Sequence, residues 1–448
     1  MFPIVTIPSA ISDVFNQYRE VFCREEGFEW VSRYVTGLLL SPNKTVQGIY
    51  DLQVFPDHEQ PPSRRAMHEA VFESGWSSAH FVGQHRQVIA PDYHGCGRVV
   101  ISLDWTYAHH KRGPWIYGVK KGYDYVQQGM SQYQTVLTAV VANSERFDGL
   151  DVVVQAPSFE KEEKGYLEAT DKPWYASQEE VRQRLIELLS YEVHRRAYKT
   201  RTDLFLELVQ QLEQEGLFPE TDYVFDNGVL SRPVTAYIEQ CGKYWLSEIE
   251  KSRNINWKGQ WRRVDSVAED LRRDHPETFR KHTATLRNGE TRTGWIFSKV
   301  VRLKRYGKLR LFIVHDEEDL SDTPQYLVTN ALHWEGTKAI QTWSYRWTSE
   351  IFHEFGKQCT GFEAAQVRKE EAVNRHFRLS CVAQSILQRV IPEVSTSEKF
   401  AFADGKVTCG QRLKAIAREV FRLVLAFVRQ LFEEGKSCQQ VLDMLMPA

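Results

Sequence analysis

Two short apolar runs, each closed by an aspartate, constrain this chain more than anything else in it. Residues 98–104 read Arg-Val-Val-Ile-Ser-Leu-Asp, a buried strand that ends on Asp104. Residues 222–226 read Asp-Tyr-Val-Phe-Asp, a second strand that ends on Asp226, with an Asn227-Gly228 turn behind it. Near-continuous runs of β-branched and aromatic residues mark strands covered on both faces.

The segments around these runs set an order of elements. A polar His109-His110-Lys111-Arg112 turn follows the first strand, and further strands lie within 115–126, 133–142 and 151–155. Strands this close in sequence form an antiparallel meander. A charged loop at 160–174 leads to a helix from Ser177, with Val181, Leu185, Leu188 and Leu189 in a stripe. Another helix spans 202–216, with Leu204, Leu208 and Leu212 in line, and 233–250 reads as helix after the Asp226 strand. Strands, helices, a strand and a helix are the order expected of an RNase H-like mixed sheet with flanking helices. That fold gathers carboxylates at neighbouring strand ends and takes a third from a later helix.

Residues 341–357 supply that helix. Trp343, Arg346, Glu350 and Lys357 are spaced by three, four and seven residues, which keeps them on one face. Trp347, Ile351 and Phe355 repeat every four residues, an apolar stripe able to bury the helix. Glu350 suits a divalent cation, Arg346 and Lys357 suit backbone phosphates, and Trp343 suits stacking on a base. Taken alone, the same residues also describe a surface helix with an ordinary Arg-Glu pair.

The remaining chain divides around this core, whose first part is 96–250. Residues 1–95 read as short helices with tight turns, a pattern shared by helix-turn-helix DNA readers and plain helical bundles. Residues 251–335 form a β-rich insertion with strands near 283–286, 293–301, 309–314 and 325–329. Between Thr291 and His315 stand seven Lys or Arg and no acid. Interleaved with Val, Ile and Leu, they make one face of a β-ribbon basic. Arg302, Lys304, Arg305, Lys308 and Arg310 are the candidate phosphate contacts, although such a face also serves solubility or edge protection. Residues 336–392 close the core, with a helix over 362–387. A linker over 392–405 leads into a C-terminal helical region, 393–448, whose amphipathic helix at 411–434 reads as a packing or dimerising element.

Composition narrows the function classes. A chain of 448 residues, 42% hydrophobic and 26% charged, is expected to be a soluble α+β multidomain protein. Its formal net charge is -2, so any nucleic-acid surface must be local. Seven cysteines without a Cys-x-x-Cys pair are expected as the reduced thiols of a cytosol. His94, Cys96, His109 and His110 fit no standard zinc spacing. No apolar run reaches a membrane span and no signal peptide is visible, so no membrane partner is expected.

Carboxylates gathered as Asp104, Asp226 and Glu350 repel one another unless a cation neutralises them. Oxygen-only ligands suit Mg²⁺, with Mn²⁺ as a substitute. Two such ions ~4 Å apart activate a water or a 3′-hydroxyl and stabilise the leaving oxygen of a phosphodiester. A pair of aspartates also supports glycosidic acid-base chemistry, but the basic ribbon argues against a neutral sugar.

The stretch from Tyr326-Leu-Val-Thr-Asn330 through Trp343, Arg346, Glu350 and Lys357 resembles the end of the DDE transposases of bacterial insertion sequences. It is similar to the branch with a Tyr-x2-Arg-x3-Glu-x6-Lys signature, the IS-four and IS-seven-hundred-one groups. Arg346, Glu350 and Lys357 match, and Trp343 stands where the family has Tyr. Leu103-Asp104-Trp105-Thr106 and Val224-Phe225-Asp226-Asn227 resemble the family's two aspartate strands, and 37–46 is similar to the N-terminal region of the second group. The resemblance implies an RNase H-like core and Asp104, Asp226 and Glu350 as catalytic metal ligands. It implies Mg²⁺-dependent cleavage at terminal inverted repeats, a hairpin intermediate, and strand transfer into target DNA. It also implies a synapsed homodimer on double-stranded DNA, a bacterial cytoplasmic, nucleoid-associated location, and an aromatic that holds a flipped base, for which Trp295 and Trp261 are candidates. Two alternatives share the residues: a domesticated transposase that regulates as a DNA-binding protein, and a structure-selective nuclease on the same core.

Overall fold

The computed structural model describes residues 3–56, 61–111, 113, 115–124, 127–156, 189, 192–193, 195–364, 366–392 and 407–446. The loop expected at 160–174 and nearly all of the helix expected from Ser177 lie outside the described residues, as does most of the 392–405 linker.

The aspartate runs belong to one mixed sheet of 12 strands. β1 (Val100–His109), β2 (Lys120–Asp124), β3 (Gly129–Ala142) and β4 (Phe147–Val154) are antiparallel, with β3 between β1 on one side and β2 and β4 on the other. β5 (Asp222–Phe225) lies parallel to β1, and β6 (Trp245–Glu248) lies parallel to β5. The sheet then continues without a break. β7 (Asn254–Trp257), β8 (Gln260–Arg263), β9 (Arg280–Thr285), β10 (Thr291–Leu303), β11 (Gly307–His315) and β12 (Gln325–Thr329) extend it from β6 in the order β12, β11, β10, β7, β8, with β9 also on β10. The strands of 251–335 are therefore continuous with the core sheet.

Period-2 alternation sorts the strands between two cores. Val100, Val136, Val140, Val224, Leu246 and Leu327 enter one. Ile101, Leu103, Leu137, Tyr223, Phe225 and Val328 enter the other. Burial on both faces explains why these strands read as nearly continuous apolar runs.

Five helices precede the sheet: α1 (Ser9–Phe15), α2 (Glu25–Leu40), α3 (Val46–Tyr50), α4 (Arg64–His68) and α5 (Ser78–Ile89). They share the first core with the sheet, and α2 is buried all round from Trp30 to Leu39. α6 (Arg201–Glu215) starts at a Thr200–Asp203 capping box and stops at Gly216, whose φ of 64° is the left-handed conformation that ends helices. α7 (Arg232–Gln240) is shorter than the 233–250 helix expected. It ends ahead of Gly242, and the next four residues that pair, Trp-Leu-Ser-Glu, form β6 instead. Their backbone groups bond to β5 and β12, a tertiary pairing that local periodicity does not encode.

α8 (Val264–Asp274) follows β8, and α9 (Gly336–Trp343) follows β12. α10 (Trp347–Cys359) is described below with the site. α11 (Glu370–Arg389) begins later than the 362–387 expectation. It packs on β4, α2 and α5. Its basic residues are structural: Arg375 donates to the carbonyls of Val71, Ser74 and Trp76, Arg378 pairs with Asp151 at 3.0 Å, and Arg389 pairs with Asp148 at 2.8 Å. α12 (Cys409–Glu433) is the expected amphipathic helix, buried through Ile416, Val420, Val424 and Leu431, and α13 (Cys438–Leu445) follows it. Among the described residues, no helix is long and apolar enough to cross a membrane.

Candidate active site

β1 and β5 pair as far as Leu103 and Phe225. The next residues are Asp104, within β1, and Asp226, the first residue past the end of β5, where the neighbouring strands lie about 4.8 Å apart. Leu103 and Phe225 face the second core, so alternation turns both aspartates to the opposite face. β1 does not end at Asp104 as expected. It runs on to His109, held by β3 alone, so Asp104 sits mid-strand where β5 has stopped.

α10 lies over that face. The expected continuous helix over 341–357 is broken: α9 ends at Trp343, Ser344–Arg346 forms a 3₁₀ turn, and α10 starts at Trp347. The Ser344 hydroxyl donates to the Gln341 carbonyl and the Thr348 hydroxyl to the Tyr345 carbonyl, both 2.7 Å, which tightens the backbone to i→i+3 spacing. The buried face also differs from the expected stripe. Trp347 is 58% exposed and Ile351 and Phe355 are half-buried, whereas Thr348, Ser349, Phe352, His353 and Gly356 are buried. Small residues win because α10 comes close to the sheet: Ser349 Oγ and Ser102 Oγ are 2.8 Å apart. Gly149 on β4 makes room for Phe352, since a Cβ there would lie 2.7 Å from its ring and 2.5 Å from Cys381 Sγ.

This contact brings Arg346 and Glu350 to the aspartates. Arg346 Nη1 lies 3.6 Å from Asp104 Oδ2, and its Nη2 donates to Glu350. Asp104 is pushed up to about 7, first by burial and then by Asp226. The Trp105 N–H and Arg346 pull it down, and Glu350 raises it. Asp226 and Glu350 therefore both act on Asp104. Asp226 is held by an Asx turn, with the Gly228 and Val229 N–H groups donating to Oδ1 at 2.8 and 3.3 Å.

The donor set is oxygen-only, and the repulsion that raises Asp104 is what a divalent cation relieves, so the residues suit Mg²⁺ or Mn²⁺. Among the described residues, no three His, Cys, Asp or Glu side chains, this trio included, are placed so that together they could hold a metal ion as they stand. Arg346 supplies the positive charge between Asp104 and Glu350.

The other candidates are more scattered. The Trp343 ring lies 5.3 Å beneath the Arg346 guanidinium and helps hold it. Lys357 is 3.5 Å from Glu363, which also accepts from the His109 N–H. Arg302, Lys304, Arg305 and Lys308 are exposed around the β10–β11 turn, whereas Arg310 is tied to Ser298 Oγ and the Leu332 carbonyl. Twist accumulated over the strands beyond β6 brings that turn back towards Asp226. Tyr306 OH donates to the Leu230 carbonyl at 3.3 Å, four residues after Asp226. Trp295 is half-buried on β10, with Lys281 Nζ 5.7 Å from its ring. Trp261 is 54% exposed on β8, six strands from β5 in the sheet order.

Sequence reasoning missed four neighbours. Glu248 follows Ser247, the partner of Phe225, so it flanks Asp226; burial raises it, Gln325 and Arg346 lower it, and Asp226 raises it. Arg253 donates to Asn227 Oδ1 at 3.3 Å. Trp105 carries the Arg201 guanidinium 4.3 Å from its ring, and its indole N–H is buried without a partner among the described residues. His353 donates from Nε2 to Thr138 Oγ1 at 2.8 Å, and that hydroxyl donates to the Asp104 carbonyl at 3.3 Å. Burial, Lys357 and Arg346 push His353 down to about 3, so it stays neutral. Its place three residues after Glu350 was the one available signal.

No family model matches the chain, and no curated relative does. Among solved structures it is similar to the piggyBac transposase in a synaptic complex with hairpin DNA, with 11% identity and a TM-score of 0.41 over 99% of this chain and 83% of that one. A likeness at that level decides neither fold nor activity.

Proposed function

We propose that this chain is a DDE-type DNA transposase built on an RNase H-like sheet. The supporting observation is the juxtaposition of Asp104 and Asp226 by the β1–β5 register beneath the helix that carries Glu350. The order β4, β3, β1, β5, β6, with the last three parallel, agrees with an RNase H-like core.

In this reading Asp104, Asp226 and Glu350 would hold two Mg²⁺ ions, which would supply an activated water or 3′-hydroxyl and stabilisation of the leaving oxygen. Arg346 pairs with the carboxylates and turns to a backbone phosphate when substrate arrives, guided by Trp343. The Asx turn fixes the Asp226 carboxylate, and neutral His353 anchors the Asp104 backbone through Thr138. Arg302, Lys304, Arg305 and Lys308 meet phosphates of the double-stranded DNA flanking the cut. The reaction is cleavage at terminal inverted repeats, cut-and-paste through a hairpin, and strand transfer into target DNA by a synapsed homodimer.

The test is a cleavage assay with purified protein, Mg²⁺ or Mn²⁺, and DNA carrying the element's ends, resolved on denaturing gels. Nicked, hairpin-ended and joined products support the reading, and Glu350→Ala should abolish them while leaving end binding intact. Cutting by Glu350→Ala, or specific binding without cutting by the unaltered protein, would refute it.

A further inference from the structure

We propose that Cys359 and Cys409 form a paired dithiol site that reacts with a small-molecule disulfide and closes to an intramolecular bond. The two sulfurs are 3.2 Å apart, although one residue ends α10 and the other begins α12. Closing to a disulfide needs an approach of about 1.2 Å. Both side chains are partly exposed, so a small oxidant reaches them, and every other cysteine is either exposed or, at Cys381, buried.

The pair is chemically asymmetric. The two thiols share one hydrogen bond, and the Lys44 ammonium near Cys359 favours the thiolate on that sulfur. The thiolate is the nucleophile in exchange. Cys359 therefore attacks one sulfur of the oxidant, for example oxidised glutathione, giving a mixed disulfide and releasing one thiolate. Cys409 loses its proton to solvent and attacks the Cys359 sulfur, expelling the second thiolate. Two protein thiols become one disulfide as the oxidant is reduced to two thiols. The bond would tie the end of the helix carrying Glu350 to the C-terminal helix and close the loop 360–408.

The test is disulfide mapping of the full-length protein after native treatment with oxidised glutathione. Tryptic peptides 358–368 and 407–412 carry one cysteine of the pair each, so the bond appears as a linked species lighter than their sum by two hydrogens. That species is expected, together with a thermal midpoint several degrees above that of the reduced protein. In Cys409→Ser the midpoint shift should disappear and Cys359 should carry glutathione. The proposal is overturned if the unaltered protein carries separate glutathione adducts at 359 and 409, if both remain free while the exposed cysteines react, or if either pairs elsewhere.

Discussion

Arg346→Gln asks whether the three carboxylates form one electrostatic unit. The guanidinium is 3.6 Å from Asp104 Oδ2, and at a pH well above 7, where Asp104 is ionised, that pair has a ceiling of about 4.6 kcal/mol at an effective dielectric of about 20. Desolvation of Arg346, whose side chain is 18% exposed, takes back part of it. The pair with Glu350, 37% exposed, adds less than about 1 kcal/mol. The net loss should be about 2.5 kcal/mol. An unfolding entropy of about 2.1 cal/mol/K per residue gives ~0.94 kcal/mol/K over 448 residues, so the midpoint should fall by about 3 °C. The variant also lacks the guanidinium that opposes a bound cation. Mn²⁺ at 100 times its Kd contributes about 2.7 kcal/mol, enough to restore the midpoint. Scanning calorimetry of both proteins in EDTA and in MnCl₂ measures this. If the variant melts with the unaltered protein in EDTA and Mn²⁺ moves neither, the carboxylates do not share a field and the proposed site fails.

Three further outcomes follow from the packing and charge described above. Gly149→Ala forces a Cβ against Phe352 and Cys381 and should cost about 1–3 kcal/mol in urea denaturation; no loss would show that α10 is free to lift from the sheet. His85 and His376 are buried, each between a Tyr hydroxyl and a Gly carbonyl, and burial pushes both down to about 4. The unfolded chain binds more protons between that value and about 6.5, so their contribution is full above pH 6.5 and falls towards pH 4, by about 1.4 kcal/mol per unit for each; urea midpoints that do not fall between pH 7 and 5.5 would contradict this. Replacing Arg302, Lys304, Arg305 and Lys308 by Gln should flatten the slope of log K against log salt for DNA by up to about 3.6, and an unchanged slope would remove the hairpin from the DNA path.

The aspartate strands were legible because both faces of the sheet are covered, which makes Val100–Leu103 apolar apart from the buried Ser102 and Tyr223–Phe225 apolar throughout. The place of Glu350 was legible from its spacing to Arg346. The side on which α10 packs was not, because periodicity counts large apolar residues while the contact is made by Ser349 and Gly356. β6 was hidden for a different reason: four residues after a helix carry too little pattern, and their pairing with β5 and β12 is decided by chain elements far away in sequence. Arg375 and Arg378 show the limit of reading charge from composition, since both are spent on carbonyls and a buried aspartate. Trp343 was assigned to a base, yet in the free protein its ring is already engaged by Arg346.

The uninterrupted sheet bears on how this chain could be shortened. β12 is the antiparallel neighbour of β6, so excising 251–335 would not remove an appendage. It would strip β6 of half its hydrogen bonds and leave its backbone open as a template for another chain, in the same strand layer that aligns Asp226 with Asp104. A minimal folded fragment of this protein must keep β12 or supply a substitute strand.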